Sequence, residues 1–209
     1  MTIDSTRKPT QLVLLDRDGV INSDSAEYIK SADEWRAIPG ALESIARLNQ
    51  AGIHTAICSN QAGISRGRLS PSDLASIHLR LSRELMAVNG HISLWRYCPH
   101  HPDHNCACRK PNQAMLEDCM AEFDIAANAV TFVGDSLKDM QAAVKARCHP
   151  ILVRTSLLQG DPERENQLAD SIRALGVKDI AADLPAAVEQ ILVTNQKLAA
   201  TQTGQISKL

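Results

Sequence analysis

The chain has 209 residues, which suits one medium α/β domain or two very small ones, and a domain of this size can bury a core without disulfide bonds. Its formal net charge of −2 excludes a broad basic surface for nucleic acid or an anionic membrane. No segment reaches the roughly 18 uninterrupted apolar residues of a membrane helix, and Met1–Thr10 lacks the apolar core of a secretory signal. We therefore expect a cytoplasmic protein with neither nucleic acid nor membrane as partner, whose six cysteines are thiols or metal ligands.

Short apolar runs that indicate buried strands alternate with helical patterns along the chain. Ser70 is a predicted N-cap, with Pro71 at the first helical position. This alternation predicts an α/β fold, a doubly wound and mostly parallel sheet with helices on both faces. The predicted strands are Gln11–Leu15, His54–Cys58, Ser93–Tyr97, Ala129–Val133, Ile151–Val153 and Val177–Ala181, and the predicted helices are Gly40–Gln50, Pro71–Val88, Asn112–Phe123, Leu137–Ala146 and Leu184–Leu198.

These elements predict a single domain over residues 11–198. We expect a flexible N-terminus over 1–10 and a frayed tail over 199–209, because both ends are polar and carry few apolar anchors. The segment 157–176 shows no pattern that assigns it a role.

Polar residues follow directly after three of the predicted strands. The segments are 16–19 (Asp-Arg-Asp-Gly), 59–61 (Ser-Asn-Gln) and 134–136 (Gly-Asp-Ser), and a fourth, 109–111 (Arg-Lys-Pro), precedes a helix. In open α/β sheets, ligands bind beyond the carboxyl ends of the strands. We therefore expect all four segments to meet at one edge of the sheet.

The residue types in these segments favour phosphoryl chemistry. Asp16 and Asp18 point to the same side of an extended segment, and Asp135 adds a third carboxylate from another strand end. Three such oxygen donors suit Mg²⁺, which takes the rest of its shell from water and phosphate. Lys110 and the Ser59 hydroxyl can bind phosphoryl oxygens. Together they offer the nucleophile, metal and cation that phosphoryl transfer requires.

These residues resemble the four signature motifs of the haloacid dehalogenase superfamily of phosphatases. The matching segments are 16–20, 59–61, 109–111 and 134–139, in the family's order. One Asp-x-Asp match would be weak evidence, whereas four ordered motifs at strand ends are specific. The resemblance implies a haloacid dehalogenase-like fold and Mg²⁺-dependent hydrolysis of phosphate esters.

The same resemblance implies a role for each motif residue. Asp16 would attack the phosphorus and form an aspartyl-phosphate, and Asp18 would protonate the leaving alcohol and then deprotonate water. Mg²⁺ would be bound by the Asp16 carboxylate, the Asp18 backbone carbonyl and Asp135. Ser59 and Lys110 would stabilise the phosphoryl group during transfer.

A cluster of three cysteines and one histidine precedes Arg109. A close-set Cys₃His group is a recognised tetrahedral zinc site, and its four protein ligands leave no open position for substrate. We therefore predict a structural zinc in the loop 98–108, with His101 and His104 as alternatives to the histidine ligand. The predicted ligands are Cys98, His100, Cys106 and Cys108, and the buried thiols are expected to be Cys58, Cys119 and Cys148.

A zinc loop directly before Arg-Lys-Pro resembles a subgroup of the superfamily without a large cap domain. It includes the heptose bisphosphate phosphatases and the histidinol-phosphate phosphatases. Segments 16–22, 28–30 and 59–67, with Trp35, resemble the heptose branch. The implied reaction is removal of the 7-phosphate of D-glycero-D-manno-heptose 1,7-bisphosphate, in the synthesis of ADP-heptose for lipopolysaccharide. Ser136 stands where some heptose enzymes carry a lysine, so that contact is not carried over.

A bisphosphate substrate needs an anion site outside the catalytic centre. Arg109 is the main candidate, because a guanidinium can bind a phosphate with two parallel hydrogen bonds. Arg66, in a glycine-flanked loop, is a second candidate. The resemblance extends the predicted substrate-binding residues to Arg17, Asp24, Glu27, Asn60 and Gln61.

Two other interpretations stay open. One is a histidinol-phosphate phosphatase or a broader sugar-phosphate phosphatase. The other is a zinc-containing module that binds nucleic-acid ends, although the near-neutral charge and the 3% aromatic content count against it. The expected partner is a small-molecule sugar bisphosphate, and the expected state is a monomer.

Overall fold

The computed structural model describes residues 7–155 and 162–206. Six parallel strands form one sheet in the order β3-β2-β1-β4-β5-β6, which confirms the predicted doubly wound architecture. The strands are β1 (Leu12–Leu15), β2 (His54–Asn60), β3 (Leu94–Cys98), β4 (Val130–Gly134), β5 (His149–Val153) and β6 (Asp179–Ala181), and the helices are α1 (Ala41–Gln50), α2 (Pro71–Ala87), α3 (Ala114–Phe123), α4 (Leu137–Lys145), α5 (Pro162–Ala174) and α6 (Leu184–Ile206).

Strand β1 is buried on both faces because helices cover both sides of the sheet. Val13 and Leu15 belong to the core shared with α1, α2 and α6. Leu12 and Leu14 belong to the core on the opposite face, with α3 and α4. This alternation with a period of two explains why the strand is an uninterrupted apolar run in the sequence.

Helices α2 and α4 begin with capping boxes. Ser70 accepts a hydrogen bond from the backbone N–H of Asp73, and Ser136 accepts one from the backbone N–H of Asp139. In each case the aspartate carboxylate accepts from the backbone N–H of the serine. The predicted cap at Ser70 is confirmed, and the second box fixes Asp139 at the carboxyl edge of the sheet.

The C-terminal third of the chain differs from the prediction. Helix α5 lies within the segment 157–176, which carried no assignment. Among the side chains of α5 that the structure describes, Leu168 and Ile172 are the apolar ones in contact with a core, so the helical pattern in the sequence is weak. Helix α6 continues to Ile206, past the predicted end at Leu198, so the tail predicted to fray is helical that far. Residues 156–161 and 207–209 lie outside the described part of the chain.

Thr10, at the end of the segment 1–10 that was predicted to be flexible, forms hydrogen bonds with the domain. The Thr10 hydroxyl lies 2.9 Å from the Thr131 hydroxyl. The Asn195 side chain accepts from the Thr10 N–H at 2.7 Å and donates to the Thr10 carbonyl at 2.9 Å. Residues 1–6 lie outside the described residues.

The prediction that no large cap domain is present is confirmed for the described residues. The connections 16–40 after β1 and 61–70 after β2 contain turns and isolated bridges, but no further helix or extended strand. Among the helices described here, none is long and apolar enough to cross a membrane.

Candidate active site

The candidate site lies where the strand order reverses, between β1 and β4. In a sheet of this topology, the crevice at such a switch point receives ligands at the carboxyl ends of the strands. Asp16 follows β1 directly, and Asp135 follows β4. Ser59 lies at the end of β2, and Lys110 reaches the same edge from the loop before α3. The structure therefore brings together residues from all four motif segments.

Three carboxylates form a cluster at this edge. The carboxylate oxygens of Asp16, Asp135 and Asp139 lie within 4.8 Å of one another. Asp139 was missed as a site residue, although it ends the quoted segment 134–139. Its position, third in helix α4, is that of a capping residue, and its Oδ2 accepts from the Ser136 N–H. Its Oδ1 contacts Lys110, and this second contact could not be seen in the sequence.

Lys110 is buried between two of these carboxylates. Its ammonium lies 3.0 Å from Asp16 Oδ1 and 2.6 Å from Asp139 Oδ1, and the side chain is 1% exposed. Burial lowers the pKa of Lys110, but the attraction of Asp139 and Asp16 outweighs it and raises the pKa above its usual value. The site therefore contains a permanent buried cation beside the candidate nucleophile.

One lysine does not balance three clustered carboxylates. Burial, with repulsion from Asp139 and Asp18, raises the pKa of Asp16 to about 7 against the opposing attraction of Lys110. Burial and the charges of Asp139 and Asp16 raise the pKa of Asp135 to about 9. Among the described residues, no donor forms a hydrogen bond or ion pair with the Asp135 carboxylate. Such an unbalanced set of hard oxygen donors fits Mg²⁺.

Two glycines make the close approach of these carboxylates possible. A Cβ on Gly19 would lie 2.1 Å from Asp135 Oδ2, and Gly19 has φ +77°, a conformation that other residues adopt only with strain. A Cβ on Gly134 would lie 2.3 Å from the Cβ of Asp139. The Thr155 hydroxyl also donates to the Gly19 carbonyl, which ties β5 to the Asp16 loop.

Asp18 is held by three neighbouring side chains and lies outside the carboxylate cluster. Arg17 donates to both of its carboxylate oxygens, and Asn22 and Gln61 donate one hydrogen bond each. Burial raises the pKa of Asp18, but the Arg17 charge and the hydrogen bonds outweigh it, so the pKa is lowered. The Asp18 carboxylate is therefore not part of the carboxylate cluster, and its backbone carbonyl stays the predicted Mg²⁺ ligand.

Three residues predicted to bind substrate hold other site residues, and their contact with substrate stays a prediction. The Arg17 guanidinium is 1% exposed and is engaged by Asp18. The Asn60 amide accepts from the Lys110 backbone N–H at 3.1 Å and donates to the Lys110 carbonyl at 3.0 Å. Gln61, 4% exposed, donates to Asp18 and to Ser59. The sequence alone did not reveal these hydrogen-bond partners. Asn22 was missed because its amide contacts are invisible in sequence.

The remaining predicted substrate residues lie at the periphery. Asp24 is partly buried, and burial raises its pKa, with a further contribution from the charge of Asp18. Arg109 is partly buried, and its Nη1 donates to the His100 carbonyl at 3.4 Å. Glu27 and Arg66 are exposed. The geometry assigns no substrate contact to these four residues, so their role stays a prediction.

The predicted zinc ligands converge in the loop after β3. The sulfur of Cys98 lies 3.5 Å from His100 Nδ1 and 3.5 Å from the Cys106 sulfur. The Cys108 sulfur lies 3.3 Å from His100 Nδ1 and 3.5 Å from the Cys106 sulfur. A zinc tetrahedron of sulfur and nitrogen ligands has edges of about 3.5–3.8 Å, so these four atoms fit one to within a few tenths of an ångström.

The histidine of this cluster is His100. Its Nδ1 faces the sulfurs, whereas His101 Nδ1 accepts from the Asp103 N–H and lies 3.3 Å from the Asp103 carboxylate. His104 stacks near the His101 ring instead. The four ligand atoms, one each from Cys98, His100, Cys106 and Cys108, all lie within 4.8 Å of one another.

The other three cysteines are buried thiols, as predicted. The sulfurs of Cys58 and Cys119 lie 3.5 Å apart in the core, and Cys148 packs against the Met120 sulfur at 3.7 Å. Burial raises the pKa of the Cys148 thiol to about 12, which makes this thiol a poor nucleophile.

The comparisons with known proteins agree with this geometry. Residues 107–182 match the family model described as HAD-hydrolase-like. The chain is 41% identical over 182 residues to the D-glycero-beta-D-manno-heptose-1,7-bisphosphate 7-phosphatase of Bordetella bronchiseptica. This alignment covers 87% of the present chain and 98% of the relative. It is 48% identical over 145 residues to the Pseudomonas aeruginosa protein of the same name, covering 69% of this chain and 81% of that relative.

A solved structure shows the same fold. The crystal structure of D,D-heptose 1,7-bisphosphate phosphatase from B. bronchiseptica, complexed with magnesium and phosphate, aligns with a TM-score of 0.78 and 39% identity. The alignment covers 88% of this chain and 99% of the crystallised chain. Metal and phosphate therefore bind to a protein with this architecture, as the carboxylate cluster and Lys110 of the present chain lead one to expect.

Proposed function

Because this chain belongs to the family of D-glycero-beta-D-manno-heptose-1,7-bisphosphate 7-phosphatases among the HAD-like hydrolases, we propose that it removes the 7-phosphate of D-glycero-D-manno-heptose 1,7-bisphosphate. The observation that carries this proposal is the cluster of Asp16, Asp135 and Asp139 around buried Lys110 at the switch point of the sheet. The matched relatives support the choice of substrate, since the alignment with one of them covers 98% of its length.

In the proposed first step, an Asp16 carboxylate oxygen bonds to the phosphorus as the bond from phosphorus to the sugar oxygen breaks. Asp18 gives a proton to that oxygen. Its pKa is lowered in the free enzyme, but a phosphate dianion beside it raises the pKa again, because a like charge disfavours the ionised form. Lys110 and the Ser59 hydroxyl donate to the phosphoryl oxygens during transfer.

In the second step, the ionised Asp18 takes a proton from a water molecule that attacks the phosphorus. The bond from phosphorus to Asp16 breaks, inorganic phosphate leaves and the carboxylate is restored. Mg²⁺, held by the Asp16 and Asp135 carboxylates and the Asp18 carbonyl, would neutralise charge on the phosphoryl oxygens. Arg17, Asn22 and Gln61 keep the Asp18 carboxylate in place through both steps.

The second phosphate of the substrate needs its own site. We place it at Arg109, because this residue lies between the zinc cluster and Lys110 and its Nη1 is oriented by the His100 carbonyl. Arg66 is a second cation at the rim, and Asp24 and Glu27 are proposed to contact sugar hydroxyls. An Arg109→Lys variant keeps the charge but loses the two-pronged geometry, so KM should rise more than kcat falls.

The proposal extends to the setting of the enzyme. We propose a cytoplasmic monomer with one catalytic domain over residues 11–198 and no nucleic-acid partner. The net charge of −2 gives no basic groove, and the free thiols and zinc-binding cysteines suit a reducing compartment. Light scattering after size exclusion tests the monomer, for which the mass should be 22.7 kDa.

The deciding experiment measures phosphate release from heptose 1,7-bisphosphate and from histidinol phosphate, with and without Mg²⁺. We expect kcat/KM to favour the heptose bisphosphate at least about 100-fold, and the Asp16→Asn variant to lose at least about 10⁴-fold in kcat while keeping its fold. Equal or inverted values of kcat/KM would remove the heptose assignment. A wild-type protein inert on both esters would favour a binding module instead.

A further inference from the structure

Gln61 connects two residues that act in different parts of the proposed reaction. Its Nε2 donates to Asp18 Oδ2 at 3.0 Å and to Ser59 Oγ at 2.8 Å. Its Oε1 accepts from Arg17 Nη2 at 3.3 Å, and its backbone N–H donates to the Cys98 carbonyl at 2.8 Å. A single amide, 4% exposed, therefore joins the acid-base carboxylate to the phosphate-contacting hydroxyl.

The orientation of this amide is set by its neighbours. Exchanging its nitrogen and oxygen would place an acceptor against the Asp18 carboxylate and a donor against the Arg17 guanidinium. Both contacts would then be repulsive, because an ionised carboxylate only accepts and a guanidinium only donates. Gln61 Nε2 must therefore face Asp18 and Ser59.

This orientation also decides where the Ser59 hydroxyl points. An amide NH₂ group donates and does not accept, so Ser59 Oγ is the acceptor of the bond from Gln61. The hydroxyl proton must then point away from Gln61. No other described residue forms a hydrogen bond with Ser59 Oγ. The proton is left free for an acceptor at the carboxyl edge of the sheet, where Asp16 follows the neighbouring strand β1.

We propose that Gln61 is a positioning residue that aims the Ser59 proton at a phosphoryl oxygen while it holds Asp18. The inference rests on the proposed phosphatase mechanism and adds to it a residue that acts through Ser59. The amide group of Gln61 is required because only a side chain that donates twice and accepts once fits Asp18, Ser59 and Arg17 together.

The test compares Gln61→Glu with Gln61→Met. The carboxylate of Q61E can only accept, so it turns the Ser59 proton inward, whereas Q61M leaves the hydroxyl free to rotate. The probe is p-nitrophenyl phosphate with Mg²⁺, whose leaving group departs without a proton from Asp18. Rapid mixing follows the first turnover, which reports phosphoryl transfer to Asp16 alone. We expect a loss of about 10-fold for Q61M and at least about 100-fold for Q61E, with KM within about threefold of wild type.

The same pair of variants in a Ser59→Ala background separates an effect on the orientation of the Ser59 hydroxyl from an effect on packing. If Gln61 acts through Ser59, the ratio of the Q61M rate to the Q61E rate should fall to about 1 once the hydroxyl is removed. Equal losses from Q61E and Q61M in the wild-type background would overturn the proposal. A difference that survives in the S59A background would overturn it as well.

Thermal unfolding of every variant controls for damage to the fold. If Q61E does not fold, the cycle of Q61M with S59A decides, and strictly additive losses overturn the proposal. The wild-type control keeps the two hypotheses apart. A wild-type enzyme inert on both the aryl phosphate and the sugar bisphosphate defeats the proposed function, whereas an active wild type with equal Q61E and Q61M rates defeats only the role of Gln61.

Discussion

The carboxylate cluster and the zinc-ligand cluster differ in what holds their residues in place. Asp16, Asp135 and Asp139 are held by strand ends and a helix start, and they bring together more negative charge than Lys110 can balance. The four ligands of the 98–108 loop come from a segment with few buried apolar residues. The first cluster is ordered by the fold and destabilised by its own charge. The second has little apolar packing of its own, so a metal bound by its four ligands would order the loop.

The two clusters meet at Lys110. The Asn60 amide clamps the Lys110 backbone on one side, and Asn112 donates to the Cys106 carbonyl at 3.0 Å on the other. This contrast predicts that damage to the carboxylate edge removes activity with little effect on folding, whereas damage to the zinc ligands removes both.

The largest effect is expected from Gly19→Ala. Its new Cβ would meet Asp135 Oδ2 at 2.1 Å, so the carboxylate must move, and a displacement of that order costs roughly 100-fold in activity or more. Gly67→Ala is the matched control, because Gly67 has φ +64° but nothing within 4 Å of its Cβ. It should lose only about 1–2 kcal/mol of stability and keep its kcat. Comparable kcat losses in the two variants would mean that backbone strain, and not the approach of Asp135, limits the site.

Cys108→Ala should damage both clusters. Loss of a ligand should release zinc, lower the unfolding temperature by roughly 5–15 °C and reduce kcat/KM about 10-fold or more, because Arg109 and Lys110 follow directly. Metal analysis, thermal unfolding and steady-state rates check the three effects. Cys148→Ala is the control, since it removes a buried thiol outside the cluster. A zinc-free Cys108→Ala protein with full activity would separate the zinc loop from the phosphate-binding lysine.

Sequence reasoning was strongest where one physical rule covers many residues. Parallel strands of a doubly wound sheet end at one edge, so the polar residues after β1, β2 and β4 could be placed together without any contact being known. The spacing of the cysteines likewise sufficed for the zinc-ligand cluster, while the choice of His100 over its neighbours required the geometry.

Sequence reasoning did not reach the contacts that depend on the direction in which a side chain points. Arg17, Asn60 and Gln61 lie within the motif segments, and only the fold shows that they hold Asp18, the Lys110 backbone and Ser59. Asp139 was hidden by its role as a helix cap. Helix α5 was missed for a different reason, because a helix with two apolar core contacts carries almost no periodic signal.

A smaller effect is expected from Asn60→Ala, which cuts the link between the two clusters. Loss of both hydrogen bonds to the Lys110 backbone should cost about 1–2 kcal/mol and lower kcat about 10-fold. Asn49→Ala is the matched control. The Asn49 amide also bonds on two sides, to the His91 N–H and the Thr55 hydroxyl, at the opposite end of β2. Equal effects on kcat in the two variants would show that the clamp contributes to stability alone.

The smallest expected effect is a slope of stability with pH in the enzyme without Mg²⁺. The folded pKa of Asp135 is about 9 and its ordinary value is 3.8, because burial and the neighbouring carboxylates disfavour its charge. The folded state therefore binds a proton that the unfolded chain has released, and stability falls as pH rises between these values. From pH 7 to 8.5, above the ordinary range of histidine, the unfolding temperature should fall by roughly 2–6 °C.

Saturating Mg²⁺ should remove most of this slope, since the cation replaces the proton as the partner of the carboxylates. Asp135→Asn should be nearly flat with or without Mg²⁺, and this control excludes the thiols, whose raised pKa values act in the same direction at higher pH. The zinc ligands are unchanged in all samples, and metal analysis should confirm equal zinc content, so the experiment reports on the carboxylate edge alone. If the unfolding temperature of the Mg²⁺-free wild type does not change with pH, Lys110 already balances the charge of the carboxylate cluster. The two clusters would then differ in their position in the fold but not in an unbalanced charge.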